Sequence, residues 1–381
     1  MISKVLLALG LAILMTVTGV TSYFYLGSRQ SKVALLPQKP TAATPRAQVV
    51  SLPGKIYLAQ AGALYSFSAG RFHQLTSEAG YTQPSLYPDG SHLLVVRRFP
   101  SYSDVYEMTL YGQLIAQLTD NAAAPRSAWD PGANDWSFYP RLSPDQGTLW
   151  MSWDGPKVVG AMYFDVDLAV WAVPLGRSIR QGKAWTVSNN YTGGDMQPVP
   201  VSGGIIYTKF TYDENGNRVG QLWFTNRAGA AGHALTSTEA GCLQPSLSPD
   251  GRSIAMVCTY QKQVSYLTIA SWNGSSLGPL QTVVSNQLVA QPTWAPDGSG
   301  IAYLAPGGPA APFQLWFLPK NAYAPPAPSP VPTPSPTPGG PHNGPLPTPT
   351  PSPAPVAPVV KPIQVTFNLG FDATSPLAWL G

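Results

Sequence analysis

Aromatic and acidic side chains crowd three stretches of this 381-residue chain. Residues 120–138, 154–165 and 189–196 hold Trp129, Asp130, Asp135, Trp136, Asp154, Tyr163, Asp165 and Asp195. Carboxylates beside aromatic faces suit sugar or peptide recognition: a ring covers an apolar face and the carboxylates accept hydrogen bonds around its rim. Two of these acids about 5–10 Å apart could run acid–base chemistry on a glycoside. Several around one point could hold a cation. The plainer reading is that the tryptophans pack the loops and the aspartates make turns.

A second set stands out by spacing. Gln83, Tyr139, Gln197, Gln244 and Gln291 each precede a proline, as does Ser375. If the chain repeats around an axis, these residues ring the mouth of a central channel. There they could hold a peptide terminus or extended segment by hydrogen bonds, or each could satisfy backbone groups of a neighbouring repeat.

Other catalytic patterns fail on context. Gly274-Ser275-Ser276-Leu277-Gly278 follows Trp272-Asn273 in a hairpin turn, whereas a nucleophile elbow needs a strand and then a helix. The four histidines, His73, His92, His233 and His342, have no metal-ligand spacing. Asp213-Glu214-Asn215-Gly216-Asn217 begins like a calcium loop but lacks the distal glutamate. No Gly-Lys-Ser/Thr phosphate loop is present. These residues imply no catalytic set, no metal site and no cofactor.

The elements that must position these groups are repeats. The marker prolines Pro84, Pro140, Pro198, Pro245 and Pro292 each open a short run that ends, in four copies, in Pro-Asp and, in three, in Pro-Asp-Gly. The third copy carries Val201-Ser202-Gly203-Gly204 instead. A sixth, degenerate copy is Thr374-Ser375-Pro376-Leu377-Ala378-Trp379. Period and strand content match four-stranded blades. Lys55–Gln60, Ala63–Ser68 and Phe72–Thr76 read as strands b, c and d with no strand a before them, and the chain finishes on a strand a. Pairing the two ends completes a sixth blade and removes two open sheet edges. The expected fold is all-β, a six-bladed β-propeller over 54–381.

The repeated Gln-Pro-x-x-x-Pro-Asp-Gly unit, preceded by Leu-Thr as in Gln74-Leu75-Thr76 and Ala234-Leu235-Thr236, resembles the TolB-type propeller repeat. The resemblance implies a binding scaffold at the cell envelope. No N-terminal α/β domain of the TolB kind fits before residue 53, so a TolB role does not transfer by fold alone.

Composition narrows the partners. Net charge is +4 with 10% charged residues, and no Lys/Arg cluster offers a path for a phosphate backbone, which excludes nucleic acid. Residues 5–26 are almost wholly apolar, long enough to span a bilayer as a helix, and Tyr23-Phe24-Tyr25 suits its interface. The segment 1–27 reads as a membrane anchor, with a cleaved signal as the alternative, and 28–53 as a flexible tether. Cys242 and Cys258 flank the Asp250 turn eight residues on each side, facing positions of a hairpin that a disulfide can bridge. A disulfide implies an oxidising compartment; two buried free thiols are the other possibility. Residues 323–362 contain 17 prolines and no acid. They read as an insertion between strands c and d of the last repeat, either a reach toward the wall or a partner, or a tolerated surface loop.

Two functions remain open. One is a non-catalytic, membrane-anchored, extracytoplasmic scaffold for an envelope protein or peptide. The other is a propeller that binds carbohydrate or cell-wall polymer, with weak hydrolase or lyase activity from the acidic loops.

Overall fold

The Pro-Asp-Gly runs are hairpin turns whose aspartates fold back on the chain. Asp89 Oδ1 accepts from the Ser91 N–H at 2.9 Å, Asp250 Oδ1 from Arg252 at 3.1 Å and Asp297 Oδ1 from Ser299 at 2.9 Å. Gly90, Gly251 and Gly298 follow at φ of +72°, +69° and +69°, which a side chain would strain. Gln146 holds the same corner at +58° in the second repeat.

These turns join strands a and b of four blades, and Ser202-Gly203 does so in a fifth, in the computed structural model, which describes residues 51–122, 134–155, 168–188, 192–260, 264–285, 287–324 and 360–381. Blade 1 is Tyr81–Leu86, His92–Arg98, Ser103–Thr109 and Leu114–Gln117. Blade 2 is Ser137–Leu142, Thr148–Trp153, Ala169–Pro174 and Lys183–Ala184, and blade 3 is Asp195–Val201, Gly204–Tyr212, Arg218–Thr225 and His233–Ala234. Blade 4 runs Cys242–Leu247, Ser253–Cys258, Tyr266–Ser271 and Gln281–Val284. Blade 5 is Ala290–Trp294, Gly300–Pro306 and Phe313–Pro319, with Ile363–Gln364 as its outer strand. Blade 6 joins the two ends: Ala378–Leu380 pairs antiparallel with Lys55–Gln60, followed by Ala63–Ser68 and Arg71–Gln74. The Trp379 indole donates to the Pro53 carbonyl at 2.7 Å and fastens the closure.

A threonine just after strand d, three times in a Leu-Thr pair, closes five of the blades from outside. Thr76, Thr119, Thr186, Thr236 and Thr366 accept, through Oγ1, the strand-c N–H groups of Leu64, Val105, Val170, Leu222 and Leu315 at 2.9–3.0 Å. Strand d is short, so these hydroxyls satisfy donors that its backbone does not reach.

Six hydrophobic cores fill the steps between neighbouring blades. Ile56, Leu304 and Phe317 meet between blades 5 and 6, and Tyr57, Leu93 and Val95 between 6 and 1. Leu94 and Met151 pack in the next step, then Val170 and Ile205, then Ile206 and Met256, then Val257 and Ile301. Every step being filled makes the ring closed.

Among the described residues no helix is long and apolar enough to cross a membrane. The apolar run 5–26 lies outside them, as do most of the tether, Trp129, Asp130, Tyr163, Asp165 and residues 325–359 of the proline-rich insertion.

Candidate functional site

Strand a of each of the first five blades breaks its register at the marker proline. The residue before it turns left-handed: φ is 52° at Gln83, 53° at Tyr139, 57° at Gln197 and Gln244, and 51° at Gln291. Residues with a side chain avoid this region, and a residue before proline prefers extended backbone, so each is a strained position that its surroundings must hold.

What holds most of them is a belt of hydrogen bonds from blade to blade. Ser375 Oγ accepts from the Gln83 N–H at 2.8 Å, and Gln83 Oε1 from the Tyr139 N–H at 2.7 Å. Gln197 Oε1 accepts from Gln244 at 3.0 Å, and Gln244 Oε1 from Gln291 at 2.7 Å. Gln291 Nε2 then donates to the Ala373 carbonyl at 3.0 Å, returning the belt to the last repeat. The step from Tyr139 to Gln197 carries no such bond among the described residues, because a phenol has no carbonyl to offer.

Tyr139 is where the belt meets the loops. Blade 2 presents Trp136 stacked on Phe138, ring centres 5.8 Å apart and 13° from parallel, and Phe138 beside Tyr139 at 6.3 Å. The Arg98 guanidinium lies 5.8 Å from the Phe138 ring centre. Burial pushes the Tyr139 hydroxyl up to about 12, with the negative charge of Asp372 adding and Arg98 opposing. All three rings are partly exposed. Asp154 Oδ1 accepts from the Trp136 N–H at 2.5 Å and so fixes where this row begins. The Asp135 carboxylate lies against Gly155, where an added Cβ would sit 2.8 Å from it.

Asp195 is 0% exposed and faces Lys209 across strands a and b, its Oδ1 3.2 Å from a lysine Nζ that also donates to the Val187 carbonyl at 2.7 Å. That cross-strand place, two residues before the marker glutamine, recurs. Cys242 and Cys258 fill it in blade 4 and are disulfide-bonded at a Cα separation of 4.1 Å. Tyr81 and Arg97 fill it in blade 1, the guanidinium 5.1 Å from the ring centre. A covalent bond, an ion pair and a cation–π contact thus serve as three staples at one position. No group of three or more His, Cys, Asp or Glu side chains placed to hold a metal occurs among the described residues.

Inside the belt lies a small cavity of about 30 Å³, lined by Tyr139, Arg141, Gln197, Gln244, Gln291 and the prolines that follow the three glutamines. Spacing had marked Tyr139 and the three glutamines; Arg141 escaped, although it is the only charged residue directly after a marker proline. Phe138 and Lys209 also escaped. Lys209 had a signal, because Asp195 and Cys242 stand at the same offset from their markers.

The connections d–a and b–c share one face of a propeller, the face where each strand a begins. Five exposed apolar side chains stand on those connections or at the strand end that leads into one: Val187 at 76%, Phe367 at 51%, Tyr212 at 48%, Val264 at 41% and Leu288 at 40%. The row Trp136–Phe138–Tyr139 opens on the same face.

No protein-family model matches this chain, and no curated protein does. Solved structures match its fold. TolB from Acinetobacter baumannii superposes with a TM-score of 0.52 at 16% identity, over 71% of this chain and 62% of that one. The chain therefore spans about three fifths of that TolB. Hydrazine synthase of Kuenenia stuttgartiensis gives 0.50 at 12% identity, over 73% of this chain and 47% of that one. TolB of Agrobacterium tumefaciens gives 0.48 at 14% identity, over 71% and 86%. The molecule is a six-bladed β-propeller with the fold of TolB. Since the same fold occurs in hydrazine synthase, function must be argued from the site.

Proposed function

We propose that this chain is a non-catalytic propeller that binds a protein or peptide partner on its d–a and b–c face, at the cell envelope and outside the cytoplasm. The observation that carries the reading is the partly exposed aromatic row beside Arg98, leading from that face to the channel mouth. Aromatic anchors with an arginine at hand are the groups protein interfaces use most, and the exposed apolar side chains of the same face add desolvation area. The acids nearby serve structure: Asp195 neutralises Lys209 and Asp154 accepts from a backbone N–H. That supports binding over acid–base catalysis. The disulfide fits an oxidising compartment, and the apolar run 5–26 would tether the propeller to the membrane.

The test is capture of the full chain, crosslinked in cells and solubilised in detergent, with Trp136→Ala and Phe138→Ala compared with wild type. An envelope protein recovered at stoichiometric yield, and lost in both variants, is the expected result. Recovery of glycan fragments alone, or a yield that neither substitution changes, overturns the reading.

A further inference from the structure

The place directly after each marker proline belongs, in most repeats, to the seams between blades or to apolar packing. Ser85 Oγ donates to the Pro140 carbonyl at 2.6 Å and Thr293 Oγ1 to Leu377 at 3.2 Å; Val199 and Leu377 are apolar. In blade 2 this place holds Arg141, which lines the cavity and has no hydrogen-bond or ion-pair partner among the described residues. Burial alone presses its guanidinium down to about 10, with no neighbouring carboxylate to hold it up, so it stays charged at neutral pH. Arg141 is half-buried, and an unpaired cation withdrawn even partly from water persists in a fold only where something compensates it. The channel around it supplies matching groups: the Gln197 and Gln244 amides spend Oε1 on the belt, and their NH₂ groups have no partner among the described residues. The missing belt bond, from Tyr139 to Gln197, lies on the two blades beside Arg141.

We propose that the central channel captures the C-terminal carboxylate of a peptide, with Arg141 as the fork that binds it. A guanidinium presents two parallel donors that match one carboxylate. A phosphate dianion would call for a second cation, and the other cavity-lining side chains are uncharged. The glutamine NH₂ groups are then free to donate to the last peptide carbonyls, the pattern of terminus capture in a backbone-lined pocket. This rests on the peptide-binding reading above and names the chemistry of its ligand.

The experiment follows the Arg141 Nε–H signal of the full chain, in detergent and labelled with ¹⁵N-arginine, assigned by its absence in Arg141→Gln. The probes are N-acetyl-Ala-Ala as free acid, the same dipeptide as carboxamide, acetate, and inorganic phosphate. The free acid should shift that signal to saturation, and the carboxamide should bind at least about tenfold more weakly. Arg141→Gln should weaken the free acid by a similar factor, read at the backbone amides of Gln197 and Gln244, with its thermal melt no lower than wild type because Arg141 holds no structural bond and its desolvation is relieved. A carboxamide that binds as well as the acid, or phosphate that binds more tightly, overturns the carboxylate site. Acetate binding as tightly as the dipeptide acid overturns the peptide as its source. The two readings fail separately: an indifferent channel leaves capture by the aromatic face intact, and failed capture leaves the titration intact.

Discussion

Lys209→Met should be among the most damaging single substitutions in the molecule, although it nearly preserves the side chain's volume. The ammonium, 9% exposed, sits 3.2 Å from a carboxylate that is 0% exposed. Without it, Asp195 is a buried anion with its cation gone, and breaking such a pair from one side costs about 3–5 kcal/mol. The pair Arg97–Glu78 is the internal comparison, at 26% and 64% exposure. Water screens it, so its loss is worth about 1 kcal/mol or less, with about 1 more for the cation–π contact of Arg97 with Tyr81. Urea titrations followed by tryptophan fluorescence, compared at constant m, should place Lys209→Met well below Arg97→Met. The double variant Asp195→Asn/Lys209→Met should regain at least about half of the loss, since no unpaired charge remains. A Lys209→Met cost no larger than that of Arg97→Met, or a double variant as unstable as the single, would refute the argument that burial sets the value of this pair.

Three further outcomes are expected. Replacing both Cys242 and Cys258 by alanine should cost about 3 kcal/mol, the loop-closure value for a separation of 16 residues, and reduction of the wild type should lower its urea midpoint similarly. Gln244→Ala strands the buried Gln291 N–H and should cost about 1–3 kcal/mol, whereas Gln244→Glu, which keeps an acceptor, should cost less in the same titration. The turn carboxylates Asp89, Asp145, Asp250 and Asp297 are held below the usual range, first by a neighbouring serine hydroxyl and next by backbone N–H groups. Their folded pKa lies under the unfolded value, so their contribution is present above about pH 4 and is lost as pH falls through the folded value. Acid unfolding of the Asp145→Asn/Asp250→Asn variant should accordingly show a shallower pH dependence.

The architecture was legible because its signals are local. Proline, aspartate and glycine at fixed offsets define turns by their own dihedral preferences, and the strand lacking at one end reappears at the other. The cysteine pair was legible for the same reason, as a symmetric span about one turn. The site was less so. Asp195 read as a loop ligand because its partner comes from the next strand, and pairing across a bulge depends on register rather than composition. The marker glutamines were legible as a recurring set, but their left-handed backbone and their belt of bonds arise only when five blades stand side by side. Arg141 looked like any arginine in a strand. Its lack of a partner is a property of the closed ring, which no single repeat contains.

Binding at the aromatic row requires that the d–a and b–c face meet the partner. A photocrosslinking residue placed at Phe138, on the d–a and b–c face, is compared with one at Tyr111, which is 75% exposed in a c–d turn on the opposite face. Irradiation in living cells should yield a discrete protein adduct from position 138 and none from position 111. No adduct from 138, or the same adduct from both positions, would contradict binding at the aromatic row.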